Sequence, residues 1–407
     1  MRGMTSNLSI GQRVAWYRRR RGMSQDVLAG LVGRTTDWLS KAENDRITLD
    51  RLSVIKSLAN ALDVSLGDLL AEPQLFEWTD ESGDRTIPAL RAAITDYRQL
   101  SPMAELIVNA EPPSLTALTS AIDEVWRAYQ GAKYSYAIRV LPGLIGEAHH
   151  AARVGAGDTR LSALGVLGQV YHAAASILTK VGEADLAWIA AERGLTFARE
   201  SGDQLITASL LRCVTHALLA NGRYAAAKQL TVDAAELLSP GLPLATPELL
   251  SVYGTLYLAG AMAAARDEDR EATRAFLAEA WESAARLGRD ANYVWTAFGP
   301  TNVRIHEVAT AIELGDTQVA VNVGPRLDTS GLPIERRARH GLAVAHAYSL
   351  RNRTDDALTA LLEAEAIAPE QVRHHYLSRQ LTMSWIRRQK GKPGFQLASL
   401  ARRLNIV

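Results

Sequence analysis

Thr36, Asp37, Lys41 and Arg46 bring a methyl-bearing hydroxyl, a carboxylate, an ammonium and a guanidinium into one short stretch. The chemistry on offer is non-covalent recognition of nucleic acid. Thr36 can offer a methyl to thymine, Asp37 can accept from a cytosine amino group, and Lys41 and Arg46 can neutralise phosphates of either strand. Gln25, at the first turn of a preceding helix, can reach a phosphate oxygen with its side-chain amide. Trp38 has two readings, packing on a sugar-phosphate wall or folding back onto the core. The run Arg18 to Arg21 is either a solvated face or a contributor to backbone contact.

Other chemistries lack their residues. His149-His150 and His374-His375 invite a metal, but neighbours on a helix point about 100° apart and no Cys/Asp cluster joins them. No P-loop, nucleophile elbow or glycine-rich dinucleotide turn occurs, so no cofactor and no enzymatic activity are expected. The single cysteine, Cys213, excludes an internal disulfide framework and suits a buried structural thiol.

The recognition residues need a scaffold, and Ser24 to Glu43 (SQDVLAGLVGRTTDWLSKAE) reads as two helices joined by a tight turn. Ala29 permits close approach where the helices cross, and Gly33 can take the left-handed conformation that stops the first sharply. Thr35 or Thr36 caps the second, Asp37 favours its positive end, and Leu39 and Ala42 form its buried face. An ordinary helical hairpin within a bundle is the alternative. Upstream, Ile10 to Arg21 has helical spacing and Gly22 ends it. Downstream come Arg51–Asn60 and a short helix capped by Ser65 and closed by Pro73, which makes five short helices in about 65 residues.

These residues resemble the Xre/Cro/C1-type DNA-binding domains of bacterial and phage repressors. The match is carried by Ile10 to Gln25, Leu28 to Gly33, Trp38 to Asn44 and Thr48 to Leu70. The resemblance implies a lambda-repressor-like domain over residues 1–72 that binds double-stranded DNA. It implies base reading by Thr35, Thr36, Asp37, Trp38, Ser40 and Lys41, and phosphate contacts from Gln25, Asn44 and Arg46. It also implies a structural ion pair between Arg13 and Glu43. Thr36, with Asp37 beside it, departs from the arginine or serine frequent near the start of that helix, so no operator sequence is assigned.

The chain of 407 residues is 47% hydrophobic, 22% charged and 6% aromatic, which favours an all-α protein of at least two domains. Its net charge of +1 conceals an uneven distribution. Residues 1–72 hold 11 Lys/Arg against 8 Asp/Glu, and residues 73–115 hold 3 against 7. The latter stretch reads as an acidic linker with a short helix at Pro88 to Leu100, and Phe76 and Trp78 as linker aromatics. No uninterrupted apolar run of about 18 residues occurs and the polar start lacks a secretion signal, so no membrane and a cytoplasmic location are expected.

From residue 116 onward one motif recurs, a turn with Gly or Asn followed by a helix opening on a spaced alanine. It begins near residues 130, 181, 221, 266, 314, 351 and 390. Such intervals accommodate two antiparallel helices each and imply an α-solenoid over residues 116–407. Ala338 to Pro369 resembles a tetratricopeptide repeat, with Ala345, Tyr348, Ala357, Ala364 and Pro369 in the matching places. By that resemblance Gln169, His172, Ser176, Arg212, His216, Asn302, Arg339 and His346 face the concave surface. The strip is polar and cationic and suits a peptide carboxylate or an acidic small molecule; a wet scaffold groove is the other reading.

The whole plan is similar to that of the peptide-receptor regulators of Gram-positive bacteria. It implies a transcriptional regulator whose repeat domain senses a ligand or partner and forms a homodimer. The competing reading is an interaction scaffold that recruits or sequesters a partner protein, with DNA binding secondary. A basic stripe on the exposed side of the third helix, with Gln25 and Lys41 outward, would favour DNA, and burial of that helix against the solenoid would favour the scaffold or an autoinhibited state.

Overall fold

The computed structural model describes residues 8–47, 51–62, 87–96, 113–389 and 392–406, together with positions 49, 64 and 69. The protein is all-α; among the described residues the only β-pairing is one bridge, between Ala291 and Phe298. Four helices form the N-terminal unit: α1 (Ile10–Arg20), α2 (Gln25–Leu31), α3 (Thr36–Glu43) and α4 (Leu52–Ala61). The expected fifth helix at Ser65 lies outside the described residues apart from the buried Leu69, as do Phe76 and Trp78. Val14, Leu28, Leu39, Leu58 and Leu62 fill a small core of their own.

After α5 (Ile87–Ile94), paired helices follow one another. They are α6 (Leu115–Gln130) with α7 (Tyr134–Val154), α8 (Gly157–Lys180) with α9 (Ala184–Ser201), and α10 (Gln204–Ala220) with α11 (Tyr224–Leu238). Then come α12 (Pro247–Arg266) with α13 (Arg270–Leu287), α14 (Pro300–Glu313) with α15 (Thr317–Val323), and α16 (Ile334–Leu350) with α17 (Thr354–Ile367). Short α18 (Pro369–His374) leads to α19 (Tyr376–Arg388) and α20 (Phe395–Arg403). Helices α8 and α12 are long and apolar enough to cross a membrane by composition, but 78% of each apolar stretch is buried. Their apolarity serves the hairpin core.

The repeated motif has a physical cause. In six hairpins the middle turn residue is left-handed: Ala132, Gly182, Gly222, Glu268, Gly315 and Asn352. The next amide bonds back to a carbonyl five residues earlier, as in Lys133 to Ala128, Glu183 to Leu178 and Arg223 to Leu218, all 2.8–2.9 Å. These are Schellman-type closures, which satisfy carbonyls left unpaired at the end of the first helix. Four residues beyond the closing amide comes the small buried residue, Ala137, Ala187, Ala227, Thr273, Ala320 or Ala357. Its size sets how closely the two helices approach.

The hairpins curl until the first meets both the segment that follows the fourth and the end of the sixth. Gln130 and Asn292 exchange two side-chain hydrogen bonds of 2.8 Å, and Gln130 also donates to the Trp295 carbonyl at 3.2 Å. Glu370 accepts from the Ser135 amide and hydroxyl at 2.6 and 2.8 Å. Lys180 pairs with Glu335 across the interior. The N-terminal unit docks against the same solenoid. Arg387 of α19 pairs with Asp45, Lys56 lies 4.1 Å from the Tyr224 ring centre, and Tyr376 packs on the N-terminal core.

Candidate nucleic-acid interface and the charged solenoid interior

The first three helices of the N-terminal unit are capped by short polar side chains, whereas α4 starts at Arg51 without a side-chain cap. Ser24 accepts from the Val27 amide and Thr35 from the Trp38 amide, both at 3.2 Å, so Thr35 is the cap and Thr36 the first helical residue. Gly33 has φ of 65°, and the Arg34 amide closes on the Ala29 carbonyl at 2.9 Å. Ala29, Leu39 and Ala42 are all buried.

Behind α3 lies a buried ion pair, and its cation differs from the expected Arg13. Arg18 grips Glu43 with two bonds, Nε to Oε1 at 2.5 Å and Nη2 to Oε2 at 2.8 Å, and its Nη1 donates to the Met23 carbonyl at 2.7 Å. Arg13 instead donates to the Leu69 carbonyl at 2.8 Å. Helical phase explains the correction. Gly11 touches the Ala42 backbone, and Arg18, seven residues on, shares its face, whereas Arg13 lies about 200° round the helix. The hydrogen bond to Glu43 raises the Arg18 pKa, and burial lowers that of Arg13 to about 10.

Gly11 carries no sign of its role in the sequence alone. A Cβ there would stand 2.0 Å from the Ala42 carbonyl oxygen, so α1 and α3 meet only because this position has no side chain. Gly11→Ala is expected to destabilise the N-terminal unit by about 2 kcal/mol, in the range of overpacked cores. Chemical denaturation followed by Trp16 and Trp38 fluorescence reads it, and an unchanged midpoint would refute the close approach.

The outward face of α3 carries the candidate recognition residues. Thr35, Thr36, Asp37 and Lys41 are exposed, Ser40 and Trp38 half-buried, and Asn44 and Arg46 exposed beyond its end. Local bonds hold several of them. Lys41 meets Asp37 at 2.6 Å, Thr36 donates to Asp26 at 2.9 Å, and Asn44 donates to the Ser40 carbonyl at 2.8 Å. Trp38 takes the inward of its two readings. It packs against the N-terminal core, with the Arg34 guanidinium 5.4 Å from its ring centre. Gln25 is half-buried and donates to Glu43 at 2.7 Å, which ties the start of α2 to the end of α3. Arg19, Arg20 and Arg21 are exposed at the end of α1.

The second cluster lies inside the curl. Glu335, buried, meets Lys180 and lies 3.8 Å from the Arg336 Nε, and Arg339 acts on it as well. His216 feels Arg212, Arg339, Lys180 and His306, and His375 feels Arg339, Lys180 and His346, so four of the eight expected concave residues, Arg212, His216, Arg339 and His346, share this charged neighbourhood. The other four sit differently. His172 lies 4.8 Å from the Trp126 ring, Ser176 is 3.5 Å from the Cys213 sulfur, Gln169 is half-buried on α8, and Asn302 is buried and donates to the Ala297 carbonyl at 2.9 Å. Lys180, Glu335, Arg336, His306 and His375 were not foreseen. Lys180 and Glu335 occupy helix ends, where a register carried over from one repeat is least informative.

Electrostatics in this interior is dominated by positive charge. Burial first, then the neighbouring cations, lowers His306 and His375 to about 3. Burial lowers Lys180 to about 7, with Arg339 and Arg336 opposing Glu335's support. The Glu335 carboxylate is held down at about 2: burial disfavours its charge, and Lys180 and Arg336 more than offset that. Among the described residues no group of three or more His, Cys, Asp or Glu is placed to hold a metal ion.

A family model described as a helix-turn-helix domain matches residues 9–72. No curated protein gives a significant match to the chain. Among solved structures, BtubC (BKLC) from P. vanneervenii is similar with a TM-score of 0.39 and 15% identity, covering 62% of this chain and 95% of its own. ComR from S. thermophilus, solved with DNA and its signalling peptide ComS, is similar with a TM-score of 0.28 and 14% identity, covering 76% and 99%. Likeness at this level carries nothing about activity. The chain thus combines an N-terminal helix-turn-helix domain with helical repeats.

Proposed function

We propose that the protein is a sequence-specific DNA-binding transcriptional regulator. Its reading head is of the Xre/Cro/C1 type, and its tetratricopeptide-like repeat domain senses a ligand and mediates dimerisation. The observation that carries the reading is the exposed face of α3, with Thr36, Asp37 and Lys41 outward. Behind it the Arg18–Glu43–Gln25 network fixes the angle between the helices. A helix whose apolar face is buried and whose polar face is rigid and open suits insertion into a major groove. Thr35 and Ser40 would border the bases, with Gln25, Asn44 and Arg46 near phosphates. The N-terminal unit meets the solenoid through Asp45 and Lys56, and of the two side chains expected to face outward Lys41 is exposed while Gln25 turns to Glu43; the exposure of α3 favours DNA over the scaffold reading.

Lys41→Ala is expected to weaken binding to all duplexes and to flatten the dependence of log affinity on log salt by about one unit. Fluorescence anisotropy across a salt series measures this, and an unchanged slope removes Lys41 from the phosphate-contacting set. A homodimer would place two heads on half-sites roughly 34 Å apart. Sedimentation showing only monomer, with and without DNA, would sink that part.

A further inference from the structure

We propose that the interior of the curl is a binding site for a compact multivalent anion, a phosphoryl-bearing small molecule with two or more negative charges, held by Lys180, Arg212, Arg336 and Arg339. This deepens the ligand-sensing role proposed above and rests on it. The four cations come from α8, α10 and α16: Lys180, Arg336 and the exposed Arg339 act on Glu335, and Arg212 shares the Tyr129 hydroxyl with Arg336 and Arg339. The side chains of Lys180 and Arg336, both on Glu335, are each only 15% exposed, and Arg339 lies at the exposed edge of the cluster, so one carboxylate faces several cations that water screens only in part. Gathering like charges in a poorly hydrated interior is unfavourable unless a counter-charge arrives.

Unused donors point the same way. The Arg212 Nε and the Arg336 Nε are buried without a hydrogen-bond partner. Buried donors without acceptors are costly, and an oxygen-rich anion would supply the acceptors. Guanidinium groups suit this role because their planar fork binds two oxygens at once. A single carboxylate would cancel one charge and leave the remaining excess. A phosphoryl group with a second anionic centre can meet cations on three helices together. Closure of the ring at Gln130–Asn292 and Ser135–Glu370 favours a small occupant over a long chain.

The test uses the full chain with inorganic pyrophosphate and tripolyphosphate at constant ionic strength, read by calorimetry and by thermal unfolding. Saturable binding is expected, stronger for tripolyphosphate than for pyrophosphate, with a higher unfolding midpoint. Arg212→Gln and Arg339→Gln should each weaken it by about tenfold or more, whereas Arg274→Gln, at an exposed position outside the interior, should leave it unchanged. Should either Gln variant fail to fold, Arg212→Lys keeps the charge, loses the fork and should still weaken binding.

Absence of saturable binding, or equal binding by the Arg212 and Arg339 variants, overturns the proposal. So does an acidic peptide bound through Arg212 by a chain that ignores pyrophosphate, an outcome that would leave ligand sensing standing. Pyrophosphate binding with no effect on DNA affinity would uphold the anion site and overturn sensing.

Discussion

Glu43→Ala is expected to cost the N-terminal unit about 3–5 kcal/mol, the usual penalty for stranding one member of a buried ion pair. Glu43 is 2% exposed and the Arg18 side chain 9%, so water cannot replace the lost carboxylate. Two Arg18 nitrogens and the Gln25 amide would lose their acceptor together, leaving only the Met23 carbonyl bonded to Arg18. Arg18→Met in the Glu43→Ala background should recover much of the loss, because removing both charges removes the stranded group. Denaturant unfolding of the three variants measures it. A Glu43→Ala loss under about 1 kcal/mol would mean that the pair is solvated and contributes as little as a surface bridge. DNA affinity should fall with stability, since the same network sets the angle of α3.

The second large effect concerns acid. His149 and His172 are 8% and 4% exposed, and burial lowers them from 6.5 to about 4 and about 3. Nearby arginines add to the shift, Arg153 and Arg193 at His149 and Arg212 at His172. Below pH 6.5 the unfolded chain takes up protons at these positions and the folded chain does not, so stability falls with pH down to the folded values. Near pH 5 the loss is about 2 kcal/mol for each histidine. Unfolding free energies at pH 7 and pH 5 should therefore differ by about 4 kcal/mol from this pair. His149→Gln and His172→Gln should each reduce the difference by roughly half. Equal pH dependence in the variants would assign acid sensitivity to other groups.

Local chemistry made the head legible. A left-handed stop at Gly33, a hydroxyl cap at Ser24 and small residues at the crossing are requirements that single positions state openly. Register between helices is not written that way. Arg13 and Arg18 carry the same group, and the choice between them depends on where α3 crosses α1, which is decided by the missing side chain of Gly11. The repeats show the same division. Gly182, Gly222 and Gly315 betray their turns, but Ala132 and Glu268 adopt the same left-handed geometry without a compositional signal. The solenoid interior was the hardest to read. Lys180 and Glu335 meet across 155 positions of sequence, and only the accumulated curvature of the three hairpins between theirs brings them together.

That curvature has a mechanical consequence. An open solenoid behaves like a spring with free ends, and each hairpin can tilt without consulting distant ones. Here the ends of the spring are clasped, so a change of pitch at one hairpin must be absorbed by all the others or must undo the clasp. Asp45 is fastened to Arg387 in α19, just beyond the clasp, and Lys56 to Tyr224 midway round. The head is thus tethered at two points on a loop of fixed circumference, and opening the clasp would change the separation of its anchors.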